Sequence, residues 1–164
     1  MNSDYAPSGV SFVLKGVDYT VNPDWSENQD ELAMKTALRI GDYKTLNVYF
    51  LTNLGGGLLG YSTFPDDFAP GTDDFYYDGL VILASTVPGG AETGFNLGKT
   101  VTHEAGHWFN LYHTFQGGCT GSGDFVDDTP AMTTPTSGCP ANKDSCPRQP
   151  GLDPIHNYMD YSDE

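Results

Sequence analysis

Residues 103–113 read His-Glu-Ala-Gly-His-Trp-Phe-Asn-Leu-Tyr-His and contain three of the four histidines of the chain. His103 and His107 are spaced i and i+4, so an α-helix places both imidazoles on one face, one turn apart. Two imidazoles in this arrangement can bind one Zn²⁺ at about 2.0–2.1 Å. The carboxylate of Glu104 can then reach a water on the metal without binding the metal itself. This stretch predicts a zinc-binding helix.

The third histidine of the stretch requires the helix to end before residue 113. Six residues turn a continuous helix through about 240°, which would place His113 on the wrong face. Asn110 lies at the break, and asparagine is second only to glycine for the positive φ with which helices often end. We therefore expect the chain to turn at Asn110 and to return His113 to the metal.

Three protein ligands and one open position are typical of a catalytic zinc site. Zinc lowers the pKa of water toward about 7 and polarises a scissile carbonyl. Glu104 is then predicted to act as general base and to deliver the proton to the leaving amine. The alternative is a surface helix with chance histidines; the adjacent Glu104 and the turn-forming Asn110 count against it.

The residues before this stretch predict a sheet and a second helix. Apolar periodicity predicts a helix over residues 30–40, and the active-site helix is expected over residues 97–110. Runs of β-branched and other apolar residues predict short strands at 10–14, 17–21, 46–52, 58–63 and 79–85. No regular element is expected from Gly117 onward.

Charge and composition exclude several classes of function. The chain has 164 residues, of which 22 are acidic and 7 basic, giving a net charge of −15. Such a chain repels phosphate backbones and anionic lipid, so we expect neither nucleic acid nor membrane as a partner. No apolar segment approaches the roughly 18 residues of a membrane span, and no signal peptide opens the chain. The acidic charge serves solubility or, alternatively, binds Ca²⁺ or basic substrates.

All three cysteines lie between residues 119 and 146, in a loop-rich stretch. They lack CxxC spacing, and the histidines lie elsewhere, which counts against a cysteine-based zinc site. One disulfide with one unpaired cysteine fits better. That arrangement favours an oxidising, extracellular setting.

The motif at residues 103–113 resembles the metzincin signature, in which the position of Asn110 is usually glycine. Residues 157–161, Asn-Tyr-Met-Asp-Tyr, resemble the metzincin Met-turn. Within the metzincins, the chain most resembles the pappalysin family, and among its members the secreted fungal and microbial extracellular metalloproteases. Three segments carry this resemblance: residues 107–119 (HWFNLYHTFQGGC), 123–130 (GDFVDDTP) and 151–164 (GLDPIHNYMDYSDE). It covers most of the chain and is closest over residues 97–164.

This resemblance implies an α+β, zincin-like domain with a mixed twisted sheet, a backing helix and an active-site helix. It implies a secreted, monomeric zinc endopeptidase that acts on polypeptides. The chain would form a single catalytic domain over residues 1–164, trimmed at both ends. Its parts would be the sheet and backing helix (1–96), the zinc-binding helix and turn (97–113) and a loop-rich part with the Met-turn (114–164).

The family also implies roles for residues outside the histidine motif. Met159 would form the hydrophobic floor under the zinc, and Tyr161 would stabilise the oxyanion. Without the family, an ordinary core methionine and a packed aromatic would be the simpler interpretations. Residues 58–63 would pair with extended substrate, a role that an ordinary edge strand can serve.

Further implications of the resemblance concern calcium, substrate preference and the disulfide. Relatives carry structural Ca²⁺ near the acidic loop, where the oxygen ligands would be Asp124, Asp127, Asp128 and Thr129; a solvated acidic loop is the alternative. An acid after the Met-turn, Asp163 or Glu164, would favour a basic residue at the P1′ side of the substrate. Cys119 would pair with Cys146, leaving Cys139 free because its family partner is absent from this chain. His156 is expected to be structural, donating to neighbouring backbone.

Two competing functions remain open from the sequence. A truncated, non-catalytic zinc- or calcium-binding fragment could fold around the same site. An adhesion module would explain the acidic surface but not residues 103–113. The presence of Glu104 favours the enzyme, because a retired protease has little need of its base.

Overall fold

The computed structural model describes all residues, 1–164, and the regular elements all lie before residue 109. Two short helical turns, at Ala6–Ser8 and Ala84–Thr86, accompany them. No helix is long and apolar enough to cross a membrane. In chain order the elements are α1 (Asn2–Tyr5), α2 (Pro23–Ser26), α3 (Glu31–Leu38), β1 (Val48–Leu51), β2 (Gly60–Ser62), α4 (Asp73–Tyr77), β3 (Leu80–Leu83) and α5 (Lys99–Trp108).

The three strands form one mixed sheet in the order β1-β3-β2. Strand β3 runs parallel to β1, with Val48 opposite Leu80, and antiparallel to β2, with Tyr61 opposite Val81. The apolar run of β3 is buried because a central strand is covered on both faces. Strand β2 is left with one free edge.

Helices α3 and α5 pack on opposite faces of this sheet. Side chains alternate along a strand, so Tyr49 and Val81 pack with Met34 of α3, whereas Leu80 and Ile82 pack with Ala105 of α5. The mixed sheet and the two helices agree with the expected α+β architecture. Helix α3 begins after Asp30, whose side chain accepts a hydrogen bond from the Ala33 amide.

The two strands expected before α3 are absent, and that prediction was wrong. Residues 10–21 are irregular, and their apolar side chains from Val13 onward are exposed, with Val13 at 74%, Leu14 at 80% and Val21 at 98%. β propensity measures how well a side chain fits a pleated, half-buried surface. In this structure no neighbouring strand supplies that surface.

Residues 109–164 contain no helix or strand, and the sequence predicted this from Gly117 onward. The disulfide Cys119–Cys146 closes this part of the chain, the pairing that the resemblance implied, and Cys139 is free and exposed. Buried carboxylates supply further order. Asp153 accepts hydrogen bonds from the amide and hydroxyl of Ser145 at 2.9 and 3.0 Å.

Candidate metal centre

Helix α5 presents His103 and His107 on one face and then ends. Asn110 has φ of 72°, and its amide donates to the His107 carbonyl at 2.8 Å. The next amide, from Leu111, reaches back to the Gly106 carbonyl at 2.9 Å. This left-handed turn reverses the chain and carries His113 back toward the helix.

The three imidazoles meet through their Nε2 atoms. The Nε2 of His113 lies 3.0 Å from that of His107 and 3.2 Å from that of His103. Three nitrogens that bind one tetrahedral Zn²⁺ at about 2.0–2.1 Å lie about 3.3–3.4 Å from one another. These three histidines form the one cluster of histidine, cysteine or acidic side chains in the structure that could hold a metal ion.

Backbone carbonyls orient two of the three rings. The Nδ1 of His103 lies 2.6 Å from the Tyr158 carbonyl, and the Nδ1 of His107 lies 2.7 Å from the Leu111 carbonyl. A carbonyl only accepts, so each Nδ1 carries the proton and each Nε2 presents a lone pair. Converging lone pairs repel one another unless a cation lies between them. The donor set therefore fits a zinc ion.

Burial keeps the three histidines in the form that binds metal. It lowers the pKa of His103 and of His113 to about 4, and it also lowers the pKa of His107. All three imidazoles are therefore neutral at pH 7. A neutral imidazole is the form that ligates a metal.

Glu104 is buried beside this cluster, only 6% exposed. Burial raises its pKa to about 8. Strand β2 passes directly over it: a Cβ at Gly60 would lie 2.9 Å from the Glu104 Cγ. The sequence placed Gly60 in the substrate-pairing stretch 58–63 but did not predict its contact with Glu104, although a glycine within a strand is a signal of close approach.

Met159 lies buried against the opposite side of α5. A Cβ at Gly106 would lie 2.3 Å from the Met159 Sδ, so any larger residue there would have to displace that sulfur. The Met159 carbonyl accepts a hydrogen bond from the Thr114 amide at 3.1 Å. This bond joins the turn around Met159 to the residue directly after His113.

The ring of Tyr161 borders the cluster, with its centroid 4.8 Å from that of His113 and 5.6 Å from that of His103. Burial, with a contribution from the nearby Glu104 carboxylate, raises the pKa of the Tyr161 hydroxyl. The hydroxyl is therefore protonated at neutral pH and available as a hydrogen-bond donor.

Asp4 is a further residue that sequence reasoning missed. Its carboxylate accepts hydrogen bonds from Lys99 and Thr102 of α5, each at 2.6 Å, and from the Tyr158 hydroxyl at 3.3 Å. It thus ties α1 to the metal-binding helix and to the residue whose carbonyl orients His103. No local pattern indicates a contact across about a hundred residues.

Glu164 lies at the N-terminus of α5. Its carboxylate accepts hydrogen bonds from the amides of Lys99, at 2.7 Å, and Thr100, at 3.0 Å, and from the amide of Leu97. The negative charge suits the positive end of the helix dipole. The carboxylate is therefore occupied as a helix cap, and a role toward the P1′ residue stays a prediction.

The acidic loop does not gather its carboxylates into a three-ligand cluster. Asp124 is buried and accepts from the Val126 amide at 3.1 Å, whereas Asp127 and Asp128 are exposed. The expected calcium site, which also includes Thr129, stays a prediction. His156 is exposed, and the expected hydrogen bonds from its imidazole to backbone are not formed, so its structural assignment was wrong.

A mixed sheet with a metal-binding helix on one face and a methionine turn beneath it defines a zincin-like metalloprotease domain. The chain belongs to peptidase family M43, the pappalysin family of the metzincins: the family model described as pregnancy-associated plasma protein-A matches residues 31–164. The resemblance stated from the motifs is thereby confirmed.

Relatives and solved structures agree with this assignment. The chain is 63% identical over 164 residues to an extracellular metalloprotease of Pyricularia oryzae and 62% identical over 162 residues to one of Colletotrichum graminicola. All of this chain aligns with 57% of the first protein, and 99% of it with 58% of the second. The chain thus spans little more than half the length of these relatives.

Two structures of mirolysin share the fold. Mirolysin in complex with a compound is 36% identical, with a TM-score of 0.64 over 77% of this chain and 47% of that chain. Mature mirolysin of Tannerella forsythia in complex with a cleaved peptide is 31% identical, with a TM-score of 0.64 over 88% of this chain and 54% of that chain. The zincin-like fold predicted from the sequence is confirmed.

Proposed function

We propose that this chain carries the catalytic centre of a secreted zinc endopeptidase. The observation that carries the proposal is the convergence of three histidine Nε2 atoms, 3.0 and 3.2 Å apart, beside a buried carboxylate. Zinc is the metal that neutral imidazoles in this geometry favour. When bound, zinc acts as a Lewis acid on a carbonyl and lowers the pKa of water.

Glu104 is the proposed general base. It accepts a proton from the attacking water and transfers that proton to the leaving amine. Its burial supports this role, because a pKa raised to about 8 lies in the range where one carboxyl group can both accept and release a proton near neutral pH. A cation at the histidine cluster would draw this pKa downward and favour the basic form.

Tyr161 is the proposed donor to the developing oxyanion. Its position beside His113 and His103 and its raised pKa support a protonated hydroxyl within reach of the reacting carbonyl. Met159 is proposed as the floor that supports the histidine cluster from below. The close contact of its sulfur with Gly106 supports that role.

The free edge of β2 is the proposed platform for substrate. The Leu59 carbonyl accepts a hydrogen bond from the Leu83 amide of β3 at 2.8 Å, and the Thr63 amide donates to the carbonyl of Gly79, directly before β3, at 3.4 Å. Because bonded and non-bonded residues alternate in an antiparallel pair, Gly60 and Ser62 turn their amide and carbonyl groups toward the free edge. An extended peptide can pair there and pass next to Glu104. The cleaved peptide in the mirolysin structure supports a polypeptide as the class of substrate.

The cellular setting and assembly follow from less local features. The disulfide and the extracellular relatives support secretion. We further propose that the chain forms one catalytic domain and acts as a monomer. A separate proposal is a calcium ion bound by Asp124, Asp127, Asp128 and Thr129. A non-catalytic metal-binding fragment is the alternative function, since the chain spans 57% of its relative.

The deciding experiment compares zinc content with peptide cleavage. We expect one zinc per chain and chelator-sensitive cleavage of internally quenched peptides. Glu104→Gln should retain the zinc and lose cleavage by about 10²–10⁴-fold. His113→Ala should lose both, whereas His156→Ala, the matched control outside the cluster, should lose neither.

Each other outcome has a definite meaning. Bound zinc without cleavage in the parent protein would select the non-catalytic alternative. Cleavage that survives Glu104→Gln would remove Glu104 from the mechanism. Zinc retained by His113→Ala would show that the metal lies elsewhere.

A further inference from the structure

A groove of about 360 Å³ opens at the C-terminal end of β2, outside the metal centre. Its walls include the rings of Phe64, Phe68 and Tyr77, which are 41%, 40% and 37% exposed. Three large aromatic side chains so exposed around one concavity leave apolar surface that no part of this chain covers.

The groove is continuous with the metal centre and with the substrate platform. Ser62 and Thr63 of the β2 end line it. The ring of Phe64 lies 5.4 Å from that of His107 and 5.0 Å from that of Tyr112. A peptide paired with β2 and crossing the metal centre must therefore pass this groove.

The groove is negatively charged. Of its carboxylates, Asp78 is neutralised by Arg39 at 2.7 Å and accepts from the Trp108 indole at 2.8 Å. Asp66 and Asp74 also line the groove, are exposed, and have no lysine or arginine partner. A cationic side chain lying over the aromatic rings would be stabilised by cation–π attraction to the rings and by charge-assisted hydrogen bonds to these two carboxylates.

The direction of the peptide decides which of its residues enters. Antiparallel pairing gives the more stable ladder, and a peptide antiparallel to β2 places its N-terminal residues near Ser62 and Phe64. Gly60 marks the reacting centre because it lies against Glu104. The groove begins two residues beyond it, so its occupant lies about two to four residues N-terminal to the scissile bond.

We propose that this groove binds an arginine or lysine side chain of the substrate on the N-terminal side of the scissile bond. Asp66 and Asp74 are then specificity-determining residues, and Phe64, Phe68 and Tyr77 hold the aliphatic stem of the bound side chain. The proposal rests on the endopeptidase function proposed above.

The test uses the zinc-loaded protein and paired peptides that differ only by arginine or citrulline, its neutral isostere, at each of the four positions before the cleaved bond. At one position two to four residues before the bond, arginine should raise kcat/KM about tenfold over citrulline. Asp66→Asn with Asp74→Asn should abolish that preference, so that the arginine and citrulline peptides are cleaved with equal kcat/KM. The matched control, Asp67→Asn with Asp73→Asn, changes exposed neighbours outside the groove and should keep the preference.

Binding of the same peptides to the Glu104→Gln variant, followed by fluorescence anisotropy, separates this proposal from the proposed function. Cleavage without an arginine preference, or with a preference that survives the Asp66 and Asp74 changes, would overturn the groove assignment alone. If the protein cleaves no peptide but binds the arginine peptide selectively, and this selectivity requires Asp66 and Asp74, the groove assignment is supported and the proposed endopeptidase activity is contradicted. If neither cleavage nor binding distinguishes the arginine peptide from the citrulline peptide, the groove assignment is overturned.

Discussion

Gly60 and Gly106 each make room for one side chain of the metal centre. Strand β2 can lie against Glu104 because Gly60 has no Cβ, and Met159 can lie against α5 because Gly106 has none. Neither glycine needs a left-handed backbone, since neither has a positive φ. Their requirement is space alone.

A methyl group at position 106 tests this requirement. We expect Gly106→Ala to destabilise the protein by about 1–3 kcal/mol, because the new Cβ would overlap the Met159 sulfur and push the Met159 turn away. Zinc affinity should fall as well, because the Met159 carbonyl holds the amide next to His113. Urea unfolding and zinc titration measure the two effects.

Gly16→Ala provides the control, because a Cβ at Gly16 meets nothing within 4 Å and its φ is not positive. We expect it to change stability by less than about 0.5 kcal/mol. Equal effects of the two substitutions would contradict the packing argument.

The hydroxyl of Tyr161 can be removed without changing the shape of its ring. We expect Tyr161→Phe to lower kcat by about 10²–10³-fold with little change in KM, because an oxyanion donor acts only in the transition state. Zinc content should be unchanged, since the ring contacts with His113 and Phe115 remain. An unchanged kcat with full zinc content would leave Tyr161 as a packed aromatic only.

The two ends of helix α5 are capped in different ways. At its start, Gly98 offers no side chain, and the capping carboxylate comes from Glu164, far along the chain. At its end, Asn110 supplies the left-handed residue from within the motif itself. The C-terminal cap at Asn110 could be predicted from the sequence. The N-terminal cap from Glu164 could not, because capping by a distant residue leaves no local pattern.

The end of α5 is tested by a pair of substitutions at one position. We expect Asn110→Gly to leave stability and zinc affinity within about 0.5 kcal/mol of the parent, because glycine adopts positive φ freely. Asn110→Ala should cost about 1–2 kcal/mol, because its Cβ opposes the left-handed conformation. Thermal unfolding of both variants with zinc present measures the difference; equal stabilities would show that this φ is not required.

Among the strands, the sequence predicted the three that have partners and also two that have none. The runs around Val48, Tyr61 and Val81 form β1, β2 and β3, because each meets a neighbour in the sheet. Residues 10–21 have a similar composition but pair with no strand, and their apolar side chains from Val13 onward remain exposed. Strand formation depends on a pairing partner, and composition does not specify one.

At the scale of the whole molecule, residues 109–164 have no helix or strand to order them. They carry His113, Met159 and Tyr161, so the metal centre depends on how this part is held. The disulfide Cys119–Cys146, with a separation of 27 residues, and a set of buried carboxylates do that.

Removal of the disulfide should therefore affect both stability and the metal centre. We expect Cys119→Ala with Cys146→Ala to lower stability by about 2–4 kcal/mol, because the unfolded chain regains the freedom of the closed loop. Zinc affinity should fall with it. Cys139→Ala is the matched control and should change neither, because this thiol is free and exposed; comparable losses in the control would contradict the prediction.

Acid should weaken the same part of the molecule through Asp153. Burial alone would raise the pKa of Asp153, but hydrogen bonds from Ser145 and the charge of Lys143 hold it below its usual range. The ionised form then stabilises the fold. That contribution is complete above the ordinary pKa of about 3.9 and is lost as the pH falls from there through the lower folded value.

We expect Asp153→Asn to be less stable than the parent by about 1–3 kcal/mol at pH 6, and the gap to close as the pH falls below about 4. Urea unfolding at pH 6 and pH 3 checks this, with zinc removed at both values so that metal loss makes no contribution. A gap that persists at pH 3 would mean that the charge of Asp153 is not its cause.

The sequence by itself determined the chemistry of the metal centre. The i, i+4 spacing of His103 and His107 places both on one face of an α-helix, and Asn110 favours the positive φ that ends the helix. Both effects are local and can therefore be predicted from one short stretch of sequence. Only the tertiary structure decided how β2, the Met159 turn and Asp4 meet that helix. Those contacts join residues far apart in the chain, and they form only where complementary shapes and charges are brought together by folding.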